Sequence, residues 1–161
     1  MKNFSLILAS ILIIIQATIP HQSALMWGLS LTNLQTTWTV RLTYNFLHVG
    51  WLHLSVNLYC LLTLCFLMRA RAWQFLTALA IASTMPAALI GDIPTLGISV
   101  LNFALSGMLM VRNRKWYWLL MLNVALVFVT SLFAGVAWMA HLYAMIAGAF
   151  VGFILKPQFN E

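Results

Sequence analysis

The sequence predicts an all-α, polytopic membrane protein with six transmembrane helices and both termini in the cytoplasm. Three observations predict it. Of the 161 residues, 63% are hydrophobic and only 6% charged, and a soluble domain of this size needs far more polar surface to face water. The few charges cut the chain into apolar stretches of spanning length. The basic residues also fall on alternate stretch ends in the order that the positive-inside rule requires.

Each span follows from the spacing of charges. Between Lys2 and Arg41 lie 38 uncharged residues, room for one span of about 20 residues and a long loop. The first span covers 4–19. It ends in "ATIPHQS", without a small-x-small cleavage site, and further spans follow, so it reads as a retained helix and not a cleaved signal. The outer loop then runs to roughly residue 43. Its segment "MWGLSLTNLQTTWTVRL", polar and aromatic by turns, suits the interface, with Trp27 and Trp38 at headgroup level. Spans two and three cover 46–68 and 73–90, and "GDIPTLG", rich in turn formers, leads to span four at 98–111. Between Lys115 and Lys156 lie 40 uncharged residues, enough for spans five and six at 116–131 and 137–155 with a turn in "LFAGV". No repeat, linker or low-complexity tract interrupts the series, which makes 1–161 one domain.

With the amino terminus inside, Lys2, Arg69, Arg71, Arg112, Arg114, Lys115 and Lys156 are cytoplasmic and Arg41 alone is outside. The net charge of +6 therefore reports topology and contact with anionic lipid headgroups. No basic stripe exists to hold a nucleic acid. Cys60 and Cys65 sit within an apolar run, which argues against a disulfide framework or a metal knuckle. His48 precedes His53 by five residues with no carboxylate beside them, which is not the spacing of a helical metal pair. The chemistry expected here uses no metal and no cofactor.

Depth links the polar residues. Counting ~1.5 Å per residue from the cytoplasmic charge of each span, His53 lies about 24 Å up from Arg69 and Asn57 about 18 Å. Ser99 lies about 20 Å from Arg112, and His141 about 22 Å from Lys156. Four hydrogen-bonding side chains from three spans thus share one layer, roughly a third of the way into a hydrocarbon core of ~30 Å from the outer face. Intramembrane polar groups face the bundle interior or a wet cavity. Ser99 heads span four and His141 lies near the head of span six, so the imidazole can take the hydroxyl proton. His53 and Asn57, at i and i+4, share a helix face and can donate to an oxyanion formed beside Ser99.

Each residue alone has a plainer reading. A lone membrane serine bonds back to the carbonyl four positions earlier or eases packing, and a lone histidine, or His53 with Asn57, makes an interhelical bond. It is their coincidence at one depth that favours chemistry. Ser106 is a rival nucleophile on nearly the same face, but about 10 Å deeper than Ser99. Arg41 reads either as an anchor for phosphate or backbone carbonyls or as a solvated charge, and His21 as an exposed loop residue.

These residues stand in segments that resemble the rhomboid family of intramembrane serine proteases over nearly the whole chain. "WTVRLTYNFLHVGWLHLSVN" resembles its arginine, phenylalanine, histidine and H-x-x-x-N pattern, "GISVLNFALSG" its G-x-S-G serine motif headed by Gly97, and "AHLYAMIAGAFVG" its A-H motif with spaced glycines. The resemblance implies Ser99 as nucleophile, His141 as its base, and His53 and Asn57 as oxyanion stabilisers with the Ser99 backbone N–H. It implies that Phe103 packs on the histidine ring and that His48 is a structural hydrogen-bonder. Gly148 and Gly152 form a small-x-x-x-small face that would press on Gly107 and Ala104 of span four. With Asp92 in a loop and Glu161 at the end, the arrangement is a dyad.

Two positions depart from the family pattern. Val100 stands where glycine follows the serine, which puts close substrate approach in question, and Ala144 stands where glycine is common. The expected function is cleavage of single-span membrane proteins near the outer face, in a plasma membrane of prokaryotic type. The alternative is a catalytically silent relative that binds membrane helices as a chaperone or retention factor.

Overall fold

A computed structural model describes residues 2–30, 37–69, 72–86, 89–90, 94–112, 117–132 and 137–155. Asp92, Arg71, Arg114, Lys115, Lys156 and Glu161, on which much of the charge reading rests, lie outside them, as does most of "LFAGV". The described residues form an all-α bundle: α1 (Lys2–Thr18), α2 (His21–Met26), α3 (Trp38–Thr43), a 3-10 turn (Tyr44–Phe46), α4 (Trp51–Met68), α5 (Ala72–Ser83), α6 (Ser99–Arg112), α7 (Tyr117–Ser131) and α8 (Trp138–Ile154).

Several bounds differ from those read in the sequence. Of the segment 46–50, expected as the head of span two, Phe46 closes the 3-10 turn and 47–50 are not helical, so α4 starts at Trp51 behind the extended Leu47 and Gly50. Phe46 and Leu47 are apolar enough to resemble the head of a span, but here they form the end of the 3-10 turn and the extended residue after it. Span three was expected to reach residue 90, yet α5 stops at Ser83. Pro86 disfavours helical geometry at Met85, which ends the helix early. The long outer loop contains two short helices, α2 and α3, that no strong periodicity announced.

Burial runs inside out relative to a soluble protein. Leu52, Phe66 and Met121 are 80%, 77% and 72% exposed, while Asn45, Asn57, Asn102, Ser106, Asn123 and His141 are buried. Apolar surface outside and hydrogen-bonding groups inside are what a lipid solvent selects. On α4 the buried residues Leu54, Asn57, Leu61, Leu64 and Met68 follow a strict three-four spacing, so one seam faces the bundle and the rest faces out. Among the described residues α4 is the one helix both long and apolar enough to cross a membrane unaided, and the other apolar helices are shorter.

At the centre stands α6. Val100, Leu101, Ala104, Leu105, Met108 and Leu109 are completely buried, with α4, α5, α7 and α8 all packed against it. The fit of α8 is closest. A Cβ added to Gly148 would strike the Ala104 backbone, and one added to Gly152 would come within 2.8 Å of Met108 Cα. Gly107 is likewise overlaid by Met145 and Ala149 backbone atoms. Residue numbers rise together along these pairs, so α6 and α8 run parallel, backbone against backbone, as small residues permit.

Candidate active site

The parallel register of α6 and α8 brings their first turns together. Ser99 begins α6, and its Oγ lies 3.0 Å from His141 Nε2 in the first turn of α8. With the hydroxyl donating, the ring proton resides on Nδ1, which is buried and has no hydrogen-bond partner among the described residues. The Phe103 ring, one turn after Ser99, stacks on the imidazole with centroids 4.5 Å apart and planes 14° from parallel. His141 is 7% exposed and Ser99 half-buried. A hydroxyl and an imidazole in this relation can pass a proton as the oxygen forms a bond to carbon.

The backbone before Ser99 is held from several sides. Gly97 has φ +112°, and a Cβ there would lie 2.8 Å from His53 Cε1, so glycine is required both by conformation and by the ring resting on it. The Gly97 N–H donates to Tyr44 O at 3.0 Å, and the Ile98 N–H to His48 Nε2 at 3.4 Å. Leu29 and Thr95 exchange backbone bonds of 2.9 and 2.7 Å, tying the long outer loop to the serine loop. Tyr44 is fully buried and its hydroxyl donates to Ala82 O at 3.0 Å. Loss of water around the phenol drives its pKa well above the ordinary tyrosine value, partly offset by Asn45 and Arg41. Arg41 Nη1 donates to Ser83 O and Met85 O at 2.9 and 3.0 Å. Of the roles open to Arg41, anchoring backbone carbonyls is the one it takes, at the end of α5.

His53 and Asn57 reach the same end of the bundle from α4. The His53 ring covers Gly97 and meets His48 edge-on, with centroids 5.3 Å apart. The Asn57 amide donates through Nδ2 to His53 O at 3.0 Å. Asn102, three residues after Ser99, donates through Nδ2 to Asn57 O at 3.0 Å and to Asn57 Oδ1 at 3.4 Å.

Val100 is completely buried within the main core, so its isopropyl group forms no part of the accessible surface beside Ser99. Ala144 is equally buried. Ser106 accepts from Asn123 Nδ2 at 2.7 Å, which engages the rival hydroxyl in a helix contact away from any imidazole. His21 is exposed. Three participants escaped the sequence reading: Tyr44, Asn102 and Asn123. A depth count includes Asn102 at about 15 Å above Arg112, close to the polar layer, whereas nothing in the order of residues pairs Tyr44 or Asn123 with its partner.

A family model described as the rhomboid domain matches residues 35–158. The match takes in α3 through α8 and leaves α1 and α2 outside it. Comparison with curated proteins gives no match. Nor does comparison with solved structures. The chain belongs to the rhomboid family.

Proposed function

We propose that this rhomboid-family chain is an intramembrane serine endopeptidase acting through a Ser99–His141 dyad. The 3.0 Å approach of Ser99 Oγ to His141 Nε2 carries the reading. Ser99 Oγ bonds to the scissile carbonyl carbon as its proton passes to His141 Nε2, and the carbonyl electron pair becomes an oxyanion. Asn57, His53 and the Ser99 backbone N–H stabilise that charge. Collapse breaks the C–N bond, the imidazolium returns its proton to the departing amine, and water releases the acyl group from Ser99 by the reverse sequence. While the imidazolium exists, the face of Phe103 supplies favourable electrostatics that no carboxylate among the described residues provides.

On this reading the chain crosses the bilayer six times as one domain with both termini cytoplasmic, and the dyad lies toward the outer face of a prokaryotic plasma membrane. A single-span substrate enters sideways between α4 and α7. Its helix must open before a peptide bond can reach Ser99, so glycine and other helix-weakening residues near the cut favour cleavage. The silent-binder alternative rests on Val100, and complete burial of that side chain weakens the steric ground for it.

Labelling by a serine-reactive phosphonate, together with cleavage of a panel of single-span reporters, tests the proposal. Wild-type protein is expected to label and to cut at least one reporter, and Ser99→Ala to do neither. Labelling that survives Ser99→Ala would count against Ser99 as the nucleophile, and reporters retained without fragments would count for the alternative.

A further inference from the structure

Asn102 has no role in the chemistry above, yet its placement ties Ser99's helix to the amide proposed there as an oxyanion donor. It is 5% exposed and lies one turn beyond Ser99. Its Nδ2 is held at 3.0 Å by the main-chain carbonyl of Asn57, a reference point that cannot rotate, and from there reaches Asn57 Oδ1 at 3.4 Å. Asn57 Nδ2 is turned the other way, onto His53 O at 3.0 Å.

A carboxamide has two ends of nearly equal size and opposite polarity, so a site that uses one as a donor must prevent the flip. Flipping Asn57 would set its NH2 against the NH2 of Asn102 and its carbonyl against the carbonyl of His53. Both bonds would be lost and two repulsive contacts formed, in a buried setting where unpaired polar groups are most costly. One N–H of Asn57 is used by His53 O, which leaves the second to face an oxyanion. For packing alone Asn102 is a poor choice. Its Oδ1 is buried with no partner among the described residues, a cost that a leucine of similar volume avoids.

We propose that Asn102 is a positioning residue that fixes the orientation of the Asn57 carboxamide so that a donor, and not an acceptor, meets the developing oxyanion. The proposal rests on the protease reading with Asn57 as an oxyanion donor. It implies that Asn102 acts through Asn57 and has no separate effect on catalysis.

The test is a double-mutant cycle on the full-length protein in detergent, with kcat and KM for a cleaved single-span reporter and a thermal melt for each variant. Removing an oxyanion donor costs about a hundredfold or more in kcat, so Asn57→Ala is expected to show a loss of that order. Asn102→Leu is expected to lower kcat about tenfold with KM unchanged, part of the same loss. In the Asn57→Ala background it should lower kcat no further. An equal fall in both backgrounds, a fall in KM-dependent binding alone, or full activity of Asn102→Leu would overturn the proposal. Should Asn102→Leu fail to melt cooperatively, Asn102→Ala and Asn102→Val serve in the same cycle. Wild-type protein that shows no Ser99-dependent cleavage defeats the protease reading itself. Normal wild-type cleavage with an additive cycle defeats this inference alone.

Discussion

Two helices flank α6 by opposite means. Against α8 the contact is backbone to backbone, with Gly107, Gly148 and Gly152 leaving no room even for a methyl group. Against α7 the contact is a thin seam. Only Leu119, Asn123 and Val127 of that helix are buried among its described side chains, at i, i+4 and i+8, and one short bond from Asn123 to Ser106 crosses the join. Met121 and Phe128 on the same helix are 72% and 65% exposed. The lesson is a division of labour. The close seam holds His141 to Ser99 within hydrogen-bond distance, and the thin one holds α7 to the bundle along one narrow face. Dispersion and small residues serve the first, because any lateral slip of α8 would separate the dyad. A polar bond such as that of Asn123 suits the second, since such bonds within a membrane average only about 0.6 kcal/mol.

The largest effect should come from breaking the close seam where it is tightest. Gly148→Leu places a branched side chain into the Ala104 backbone and is expected to cost about 3 kcal/mol or more, through overpacking without room to relax. Its melting midpoint should fall steeply, and phosphonate labelling of Ser99 should drop to the level of Ser99→Ala. Gly152→Ala sharpens the contrast within the same seam. Its Cβ would meet Met108 Cα at 2.8 Å and Met108 O at 2.9 Å, so stability should fall by about 1–2 kcal/mol. This contact lies three turns from His141, so labelling of Ser99 should be largely retained. If labelling disappears with so small a loss of stability, the seam does not act locally as described.

A smaller effect is expected at the thin seam. Asn123→Leu should cost about 1 kcal/mol, raise hydrogen exchange along α7, and leave exchange along α8 unchanged. Adding Ser106→Ala should cost little more, because the partner hydroxyl has already lost its bond. Equal protection of both helices in Asn123→Leu would show that the bond does not hold α7 in place.

The helical class and membrane character were legible because they are averages over many residues. Long apolar runs, rare charges and a handful of hydrogen-bonding side chains at one depth need no partner to be recognised. The approach of Ser99 to His141 was legible for the same reason, since helical rise converts residue count into height. Helix bounds were less so: Phe46 and Leu47 read as the head of span two but belong to a 3-10 turn and the extended residue after it, and Pro86 shortens α5. Asn102 stood in view near the polar layer, yet its purpose depends on where Asn57 lies. The alternatives for Arg41 were correctly drawn, and only the end of α5 selects between them.

Taken alone, the order of residues determined that helices form, that they associate with a membrane, and that hydroxyl, amide and imidazole groups gather toward one end. Which hydroxyl meets the imidazole was decided by the tertiary structure. Ser99 and Ser106 lie on nearly the same side of α6, two turns apart. The glycine contacts set the height at which α8 docks, and that height gives Ser99 to His141 and leaves Ser106 to Asn123. Hydropathy is additive along a chain and tolerates error, whereas a hydrogen bond requires two particular atoms about 3 Å apart. Only the docking of one helix on another supplies that distance.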